Sequence, residues 1–396
     1  MKTYRIGLLL LMMTLLAAPI GCGEEVDAND DDNAGDDAGS DAVSGSDAER
    51  GTDGDAGEDP PDCELQLPPD GQPFEKLSEY CFFRGDPATH QPSEGVVAFD
   101  VSTKLYSDRS DKLRFVVLPE GETIAFDETE RWEFPVGSIL IKTFYYPHDA
   151  RDPSLGRDLL ETRLLIRGEE EWEPQIYRWN EEQTEADRFL LGQNVDVDWI
   201  DEDGEDVSTR YMIPTKSDCK SCHNHDDQII ALGPRTRQLN RDNDYGDGPV
   251  NQLAHFEQLG LFDTDLPPLD TLDKLIDPVD DSHPIDQRAR TYLEGNCAHC
   301  HSPGGPARNS ALYLNIEEDV PRRLGVCKPP VAAGGGTGGR PYAIYPGQPD
   351  QSIMVFRMNS NDPEIKMPEL PLRTVDEFGV NLITDWIAQM EGDCSQ

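Results

Sequence analysis

The stretch DQRARTYLEGNCAHCHSPGG, residues 286–305, contains the pattern on which a fold prediction for this chain depends. At its centre Cys297, Cys300 and His301 form C-x-x-C-H, the attachment signature of a c-type haem. Two thiols three residues apart add across the two vinyl groups of one haem, and the adjacent imidazole reaches the iron as proximal ligand. The stretch therefore predicts a covalent haem site.

A second copy of the pattern, CKSCH, lies upstream at Cys219, Cys222 and His223. The two copies together predict two covalently bound haem c groups, with His223 and His301 as proximal iron ligands. The alternative is a zinc site, because C-x-x-C with a nearby histidine also binds zinc. The immediately adjacent histidine in both copies favours haem.

The N-terminus has the features of an export signal. Two basic residues precede an apolar run at 6–16, and small residues then lead directly to Cys22. Residues 1–21 are thus predicted to be a lipoprotein signal peptide and Cys22 the lipidated mature N-terminus. This predicts an exported, membrane-anchored lipoprotein, with the outer membrane as the favoured site. The alternative is an ordinary secretory signal followed by a bystander cysteine.

The formal charge of the chain is -44, and part of it is concentrated near the N-terminus. Residues 22–62 consist mainly of Asp, Gly, Ala and Ser, with very few large apolar side chains to bury. We expect this segment to be a disordered acidic tether. The remaining chain is also acidic, which argues against nucleic acid as a partner.

Four cysteines belong neither to the two motifs nor to the predicted lipidation site. They are Cys63, Cys81, Cys327 and Cys394. An even remainder in an oxidising compartment predicts two disulfides, for which three pairings exist. Pairing Cys63 with Cys81 and Cys327 with Cys394 is favoured, because each bond then lies within one predicted domain.

Residues 63–212 are predicted to be a β-rich domain that forms an antiparallel sandwich or barrel. Apolar or alternating runs separated by turn residues indicate the strands. The runs are Val96–Val101, Arg114–Leu118, Ile139–Tyr146, Leu159–Arg167 and Ile176–Trp179. The domain is expected to provide a docking surface and to form a wall of the first haem site.

Two haem-bearing regions follow, residues 213–283 and residues 284–396, and give a predicted α+β multidomain chain. In the first, apolar spacing indicates a short helix within 251–262. In the second, Asp286 is predicted to cap the helix that leads to the motif. The sequence 374–377, TVDE, is a predicted capping box before an apolar helical stripe. A helix before the motif and a terminal helix packed against it are typical of a small cytochrome c domain.

The chain resembles a functionally uncharacterised family of secreted bacterial diheme c-type cytochromes. The resemblance covers most of residues 95–394. It rests on LYSDRSDKLRFVVLPEG, FPVGSILIKTFYYP, ETRLLIR, YRWNEEQTEA, IPTKSDCKSCH, LGPRTRQLN, RARTYLEGNCAHCH and YPGQPDQSIMVFRM. It implies a parallel β-helix repeat protein as a partner. The C-terminal unit is also similar to cytochrome c modules that accompany quinoprotein dehydrogenases.

Met367 is the predicted distal ligand of the second haem. A thioether is a common haem ligand, and Pro368 restricts the loop that presents it. Met367 lies between the motif and the terminal helix, which is the order found in small cytochromes c. The alternative is that Met367 only packs and that Met354 or Met358 provides the sulfur.

The distal ligand of the first haem is left open by the sequence. Met212, His225, His255 and His148 are candidates. If none of them binds, the iron is five-coordinate and accessible to peroxide or another small molecule. His299, between the cysteines of the second motif, is expected to face solvent.

These observations predict an exported diheme c-type cytochrome that transfers single electrons between periplasmic or cell-surface redox partners, an electron carrier rather than an enzyme. The alternative is a diheme peroxidase or oxidase-like enzyme, a haem oxidoreductase with an open first iron. A third hypothesis is a binding module in which the β-rich domain recognises a partner and the haems are subsidiary.

Overall fold

A computed structural model of the chain describes residues 63–68, 72–246, 248–331, 333–370 and 372–394. All of these residues belong to one compact unit. The predicted signal peptide, the lipidation site Cys22 and the acidic tether lie outside the described residues. Within them, no helix is both long enough and apolar enough to cross a membrane.

The fold is α+β, as predicted, and is organised on a six-stranded antiparallel sheet whose strands are adjacent in chain order. The strands are β1 Val96–Ala98, β2 Asp111–Val117, β3 Ile139–Pro147, β4 Arg157–Arg167, β5 Trp172–Trp179 and β6 Ala186–Arg188. A separate antiparallel hairpin follows, formed by β7 Gln193–Ile200 and β8 Asp206–Ile213. The first five strands match predicted runs, whereas β6, β7 and β8 were missed.

The two faces of the sheet bury different sets of side chains. Because side chains alternate along a strand, Ile139 and Ile141 of β3 join a core that includes Tyr80 and Phe82 of the N-terminal segment. Phe144 points to the other face and packs in a cluster with side chains of the β7–β8 hairpin. Both faces are therefore covered, one of them by the hairpin.

The region after β8 is made of short elements. Two small antiparallel pairs are β9 Asn224–His225 with β10 Gln228–Ile229, and β11 Asp242–Asp244 with β12 Pro249–Asn251. The helices are α1 Lys216–His223, α2 Thr236–Leu239, α3 Gln252–Gln258, α4 Ile285–Asn296, α5 Pro321–Leu324, α6 Ile353–Met358 and α7 Glu377–Ala388. The predicted helix within 251–262 is α3, whose Leu253 and Phe256 are buried.

Helices α4 and α7 pack against each other in the C-terminal core, as the sequence predicted. Tyr292 of α4 lies directly against Gly379 of α7, where any Cβ atom would overlap the tyrosine ring. The Nε1 of Trp386 donates a hydrogen bond of 2.8 Å to Asp286. These contacts fix the helix that leads to the second motif against the terminal helix.

The predicted helix caps of this region are wrong. Pro284 occupies the N-cap position of α4, and Asp286 lies in the first turn, where it accepts from the α7 tryptophan. Asp376, rather than Thr374, caps α7 by accepting from the backbone N–H of Gly379. In both cases the side chain that was predicted to cap the helix is hydrogen bonded to a residue distant in sequence: Asp286 to Trp386, and Thr374 to Asp108.

Thr374 instead joins the C-terminal region to the sheet region through the buried carboxylate of Asp108. One oxygen of Asp108 accepts from the backbone N–H of Arg373 at 2.9 Å and from the backbone N–H and hydroxyl of Thr374 at 2.9 and 2.8 Å. A buried acceptor with three donors is a strong local constraint, since each donor left unpaired costs free energy.

Both favoured disulfides are confirmed. Cys63 is bonded to Cys81, with their Cα atoms 5.5 Å apart, and Cys327 is bonded to Cys394, with their Cα atoms 5.2 Å apart. The four motif cysteines are free thiols. The four cysteines outside the motifs and the lipidation site are thus paired as the sequence predicted.

We expect Asp108→Ala to lower the free energy of unfolding by about 2–4 kcal/mol, because it leaves three donors without their acceptor. Chemical denaturation measures this change. Asp265→Ala is the matched control, since Asp265 is exposed and its replacement is expected to change stability by less than about 0.5 kcal/mol. Equal stability of the two variants would contradict the role given to Asp108.

Candidate functional site

The first motif is carried by helix α1, and the local sequence explains why a helix begins there. The hydroxyl of Thr215 accepts from the backbone N–H of Asp218, whose carboxylate accepts from the backbone N–H of Thr215 at 2.8 Å. This reciprocal capping starts the helix just before the motif. Cys219, Cys222 and His223 then follow at i, i+3 and i+4, so their side chains share one helix face.

A hydrogen bond to the backbone fixes the orientation of the His223 ring and leaves its other nitrogen free. Its Nδ1 lies 2.8 Å from the carbonyl oxygen of Ile230. Donation to this carbonyl places the proton on Nδ1 and leaves Nε2 free as a ligand atom. Burial, followed by the charge of Lys142, lowers the pKa of His223 to about 3, so the imidazole is neutral at pH 7.

A cavity of about 880 Å³ adjoins this helix face. Its lining includes Cys219, Cys222 and His223, and also β3 side chains such as Lys142 and Phe144. The sheet therefore forms part of the cavity wall, as expected. The volume lies within the range of cavities that hold drug-sized ligands and cofactors, about 300–1,000 Å³. Two thiols and a free imidazole nitrogen on one wall are the groups that a covalent haem requires.

Only two of the four candidate distal ligands of the first site line the cavity. Met212 and His225 line it, whereas His148 and His255 do not. Both ring nitrogens of His148 are hydrogen bonded, to the carbonyl oxygen of Leu155 and to a carboxylate. His255 is stacked on a tyrosine ring with centroids 3.7 Å apart. Met212 and His225 are thus the two candidates that the fold brings to the site.

His299 does not face solvent as expected. It is half-buried and lines the same cavity, although it belongs to the second motif. Its imidazole acts to lower the pKa of the Cys222 thiol. The position of His299 between the two cysteines does not predict this orientation. The orientation depends on how the two motif segments pack against each other.

The second motif begins where helix α4 ends. The backbone N–H of Cys297 donates to Leu293 at 2.9 Å, and those of Cys300 and His301 donate back to the Cys297 carbonyl at 3.1 and 2.9 Å. The Nδ1 of His301 lies 3.5 Å from the hydroxyl of Ser310. Burial lowers the pKa of His301 to about 4, so this imidazole is also neutral at pH 7.

The two motifs are in direct contact. The thiol of Cys300 lies 3.7 Å from the carbonyl oxygen of Ser221, inside the first motif. The neighbouring thiols of Cys222 and Cys300 influence each other, so that the pKa of Cys222 is raised and that of Cys300 is lowered. The backbone N–H of Asp226 donates to Gly304 at 2.9 Å. Two groups attached here would therefore be immediate neighbours.

Met367 lies beside helix α6. Its backbone N–H donates to the carbonyl oxygen of Arg357 at 2.9 Å. Met354 is buried in the C-terminal core, and Met358 packs against that core together with Cys297. Met367 as distal ligand of the second haem stays a prediction, with the other two methionines as alternatives.

The described part of the chain contains no group of three or more His, Cys, Asp or Glu side chains arranged to hold a metal ion. A structural zinc site requires four such ligands. A haem iron takes its four equatorial ligands from the porphyrin, so the protein supplies only axial ligands. Each motif of the described chain supplies one neutral imidazole as a candidate axial ligand.

Sequence reasoning missed three cations on the cavity wall: Arg114 of β2, Lys142 of β3 and Arg163 of β4. A signal was present, because Lys142 interrupts the apolar run ILIKTFYY in a strand that is otherwise buried. Their adjacency depends on strand register, which the sequence did not provide.

No family model, curated protein or solved structure gives a significant match to the chain.

We predict that Gly304→Ala disturbs the contact between the motifs, because an added Cβ would overlap the ring of His225. The expected cost is about 1–3 kcal/mol in unfolding free energy, measured by chemical denaturation. Gly233→Ala is the matched control: Gly233 also lines the cavity, but an added Cβ would have open space. Equal stability of the two variants would contradict the close approach at Gly304.

Proposed function

We propose that the protein is an exported diheme c-type cytochrome that transfers single electrons between periplasmic or cell-surface redox partners. The observation that carries the proposal is the contact between the two C-x-x-C-H segments, through the approach of Cys300 to Ser221 and through the adjacent Asp226–Gly304 backbone hydrogen bond. One motif alone is weak evidence for haem, whereas two motifs packed against each other are the arrangement that electron exchange between neighbouring haems requires.

In this proposal the chain's own residues hold and orient the cofactors. Cys219 and Cys222 bind the first haem covalently, and the carbonyl oxygen of Ile230 keeps the Nε2 of His223 directed at the iron. Cys297, Cys300 and His301 do the same for the second haem, with Met367 as distal ligand. The haems supply one-electron chemistry, and the protein controls it through axial ligands, burial and hydrogen bonds.

The region 284–396 is proposed to be a cytochrome c-like unit. Support comes from the packing of α4 against α7, with Cys297 at the edge of their common core. Such packing shields one side of an attached group from water. The predicted lipid anchor at Cys22 and the acidic tether would hold this unit away from a membrane, proposed to be the outer membrane. An acidic chain suits basic redox partners, and the family resemblance suggests a parallel β-helix repeat protein as one partner.

A second candidate is a haem oxidoreductase of the peroxidase or oxidase type, with an open first iron. The favouring observation is that polar side chains such as Lys142 and His299 line the cavity beside the first motif. A high-spin component in the EPR spectrum together with peroxide turnover would support this candidate. A fully low-spin spectrum without turnover would support the electron carrier.

We expect the purified wild-type protein to contain two haems per chain in a pyridine haemochrome assay. Replacing both Cys219 and Cys222 by alanine should reduce the content to one haem, because the first attachment site is lost. Ser217→Ala is the control on the same helix, where the side chain is exposed and two haems should remain. Fewer than two haems in the wild-type protein would overturn the proposed function.

Met367→Ala is expected to lower one of the two reduction potentials by on the order of 0.1 V, because methionine ligation raises the potential of a haem and axial ligands tune it over a wide range. Spectroelectrochemical titration measures both potentials. Met358→Leu is the matched control and should leave them unchanged. A reversed pattern would assign the ligand to Met358 instead.

A further inference from the structure

Three cations stand side by side on the sheet face that lines the cavity. Arg114 of β2 is the register partner of Lys142 of β3, and Lys142 is the register partner of Arg163 of β4. All three line the cavity. Like charges directly opposite one another in a sheet are destabilising. In a chain with a net charge of -44, such a row calls for a specific explanation.

The two arginines at the ends of the row have their own counter-ions. Arg114 is paired with Asp100 at 2.6 Å. Arg163 forms a two-pronged ion pair with the fully buried Glu161, with contacts of 2.6 and 3.0 Å. Their charges are thus compensated inside the protein fold, and the unpaired charge is at the centre of the row.

Lys142 has no hydrogen bond or ion pair with any described residue. Its Nζ lies 5.2 Å from the centroid of the Phe144 ring. Burial, together with the charges of Arg163 and Arg114, lowers the pKa of Lys142 to about 7. At such a pKa the amine loses its proton near neutral pH unless an anion approaches and stabilises the charged form.

Two acidic side chains of the cavity wall have partners other than Lys142. Asp218 is held in the capping box with Thr215. Glu294 accepts from Arg235 at 3.3 Å and from the backbone N–H of Ile316 at 2.9 Å. Since no described residue is hydrogen bonded or ion paired with Lys142, an anion that enters the cavity would be its direct partner.

We propose that Lys142, between Arg114 and Arg163, is the centre of an anion subsite that binds the oxyanion of a carboxylate or of a small inorganic anion. Two sources have this chemistry: a propionate of the haem attached to α1, and a free oxyanion that enters the cavity beside it. The first source rests on the proposed function, whereas the second does not require a bound haem.

The test compares wild-type protein with Lys142→Gln, Lys142→Arg and Lys328→Gln, all as full-length holoprotein. Lys328 is the matched control, because it is a buried lysine outside the cavity. Both midpoint potentials are measured at constant ionic strength, in chloride and in inorganic phosphate. Melting temperatures are measured over a phosphate titration. Lys142→Arg keeps the charge and is expected to behave like wild type.

If the anion is a propionate, Lys142→Gln should lower one midpoint potential, because the carboxylate loses its counter-ion, and phosphate should change nothing in the wild-type protein. If the anion is free, phosphate should raise the wild-type melting temperature in a saturable manner, and Lys142→Gln should weaken this response at least tenfold. Lys328→Gln should show neither effect.

The proposal is overturned if Lys142→Gln matches Lys328→Gln in both potentials and in its phosphate response. It is also overturned if Lys142→Gln converts a low-spin haem signal to high spin, because the amine would then be an iron ligand. Absence of haem from the wild-type chain would contradict only the proposed function. The melting temperature can still be measured over the phosphate titration and still tests the anion subsite.

Discussion

The contact between the two C-x-x-C-H segments is the constraint on which the rest of the structure depends. It joins the end of α1 to the turn after α4 through the approach of Cys300 to Ser221 and the Asp226–Gly304 backbone hydrogen bond. These segments are far apart in sequence, so their approach must be enforced by elements on both sides. The close fit of Gly304 against the ring of His225 leaves little freedom in this approach.

The sheet and the C-terminal helices hold the two motif segments in place in different ways. The sheet gives the first site a wall that carries a row of three basic side chains, Arg114, Lys142 and Arg163. The buried carboxylate of Asp108 fixes the chain just before α7, and α7 in turn fixes α4 through Gly379 and Trp386. One site therefore faces a preformed cavity, whereas the other is attached to a packed helical core.

The sequence predicted those features that depend on local pattern. The alternation in β1 to β5, the apolar stripe of α7 and the division of the cysteines were all readable. Strand β7, QNVDVDWI, was not among the predicted runs, although Val195, Val197 and Trp199 alternate with polar side chains as in a strand. Asp286 and Thr374 looked like caps but serve distant partners. The orientation of His299 and the row around Lys142 depend on tertiary contacts and strand register, which local pattern does not contain.

The most direct test of the account is an EPR spectrum of the oxidised full-length protein, because motif segments in contact must place their two irons close together. We predict two haem signals broadened by mutual spin–spin interaction, with the interaction lost when the first attachment site is removed. Two sharp, magnetically independent haem spectra, or the absence of any haem signal, would contradict the account.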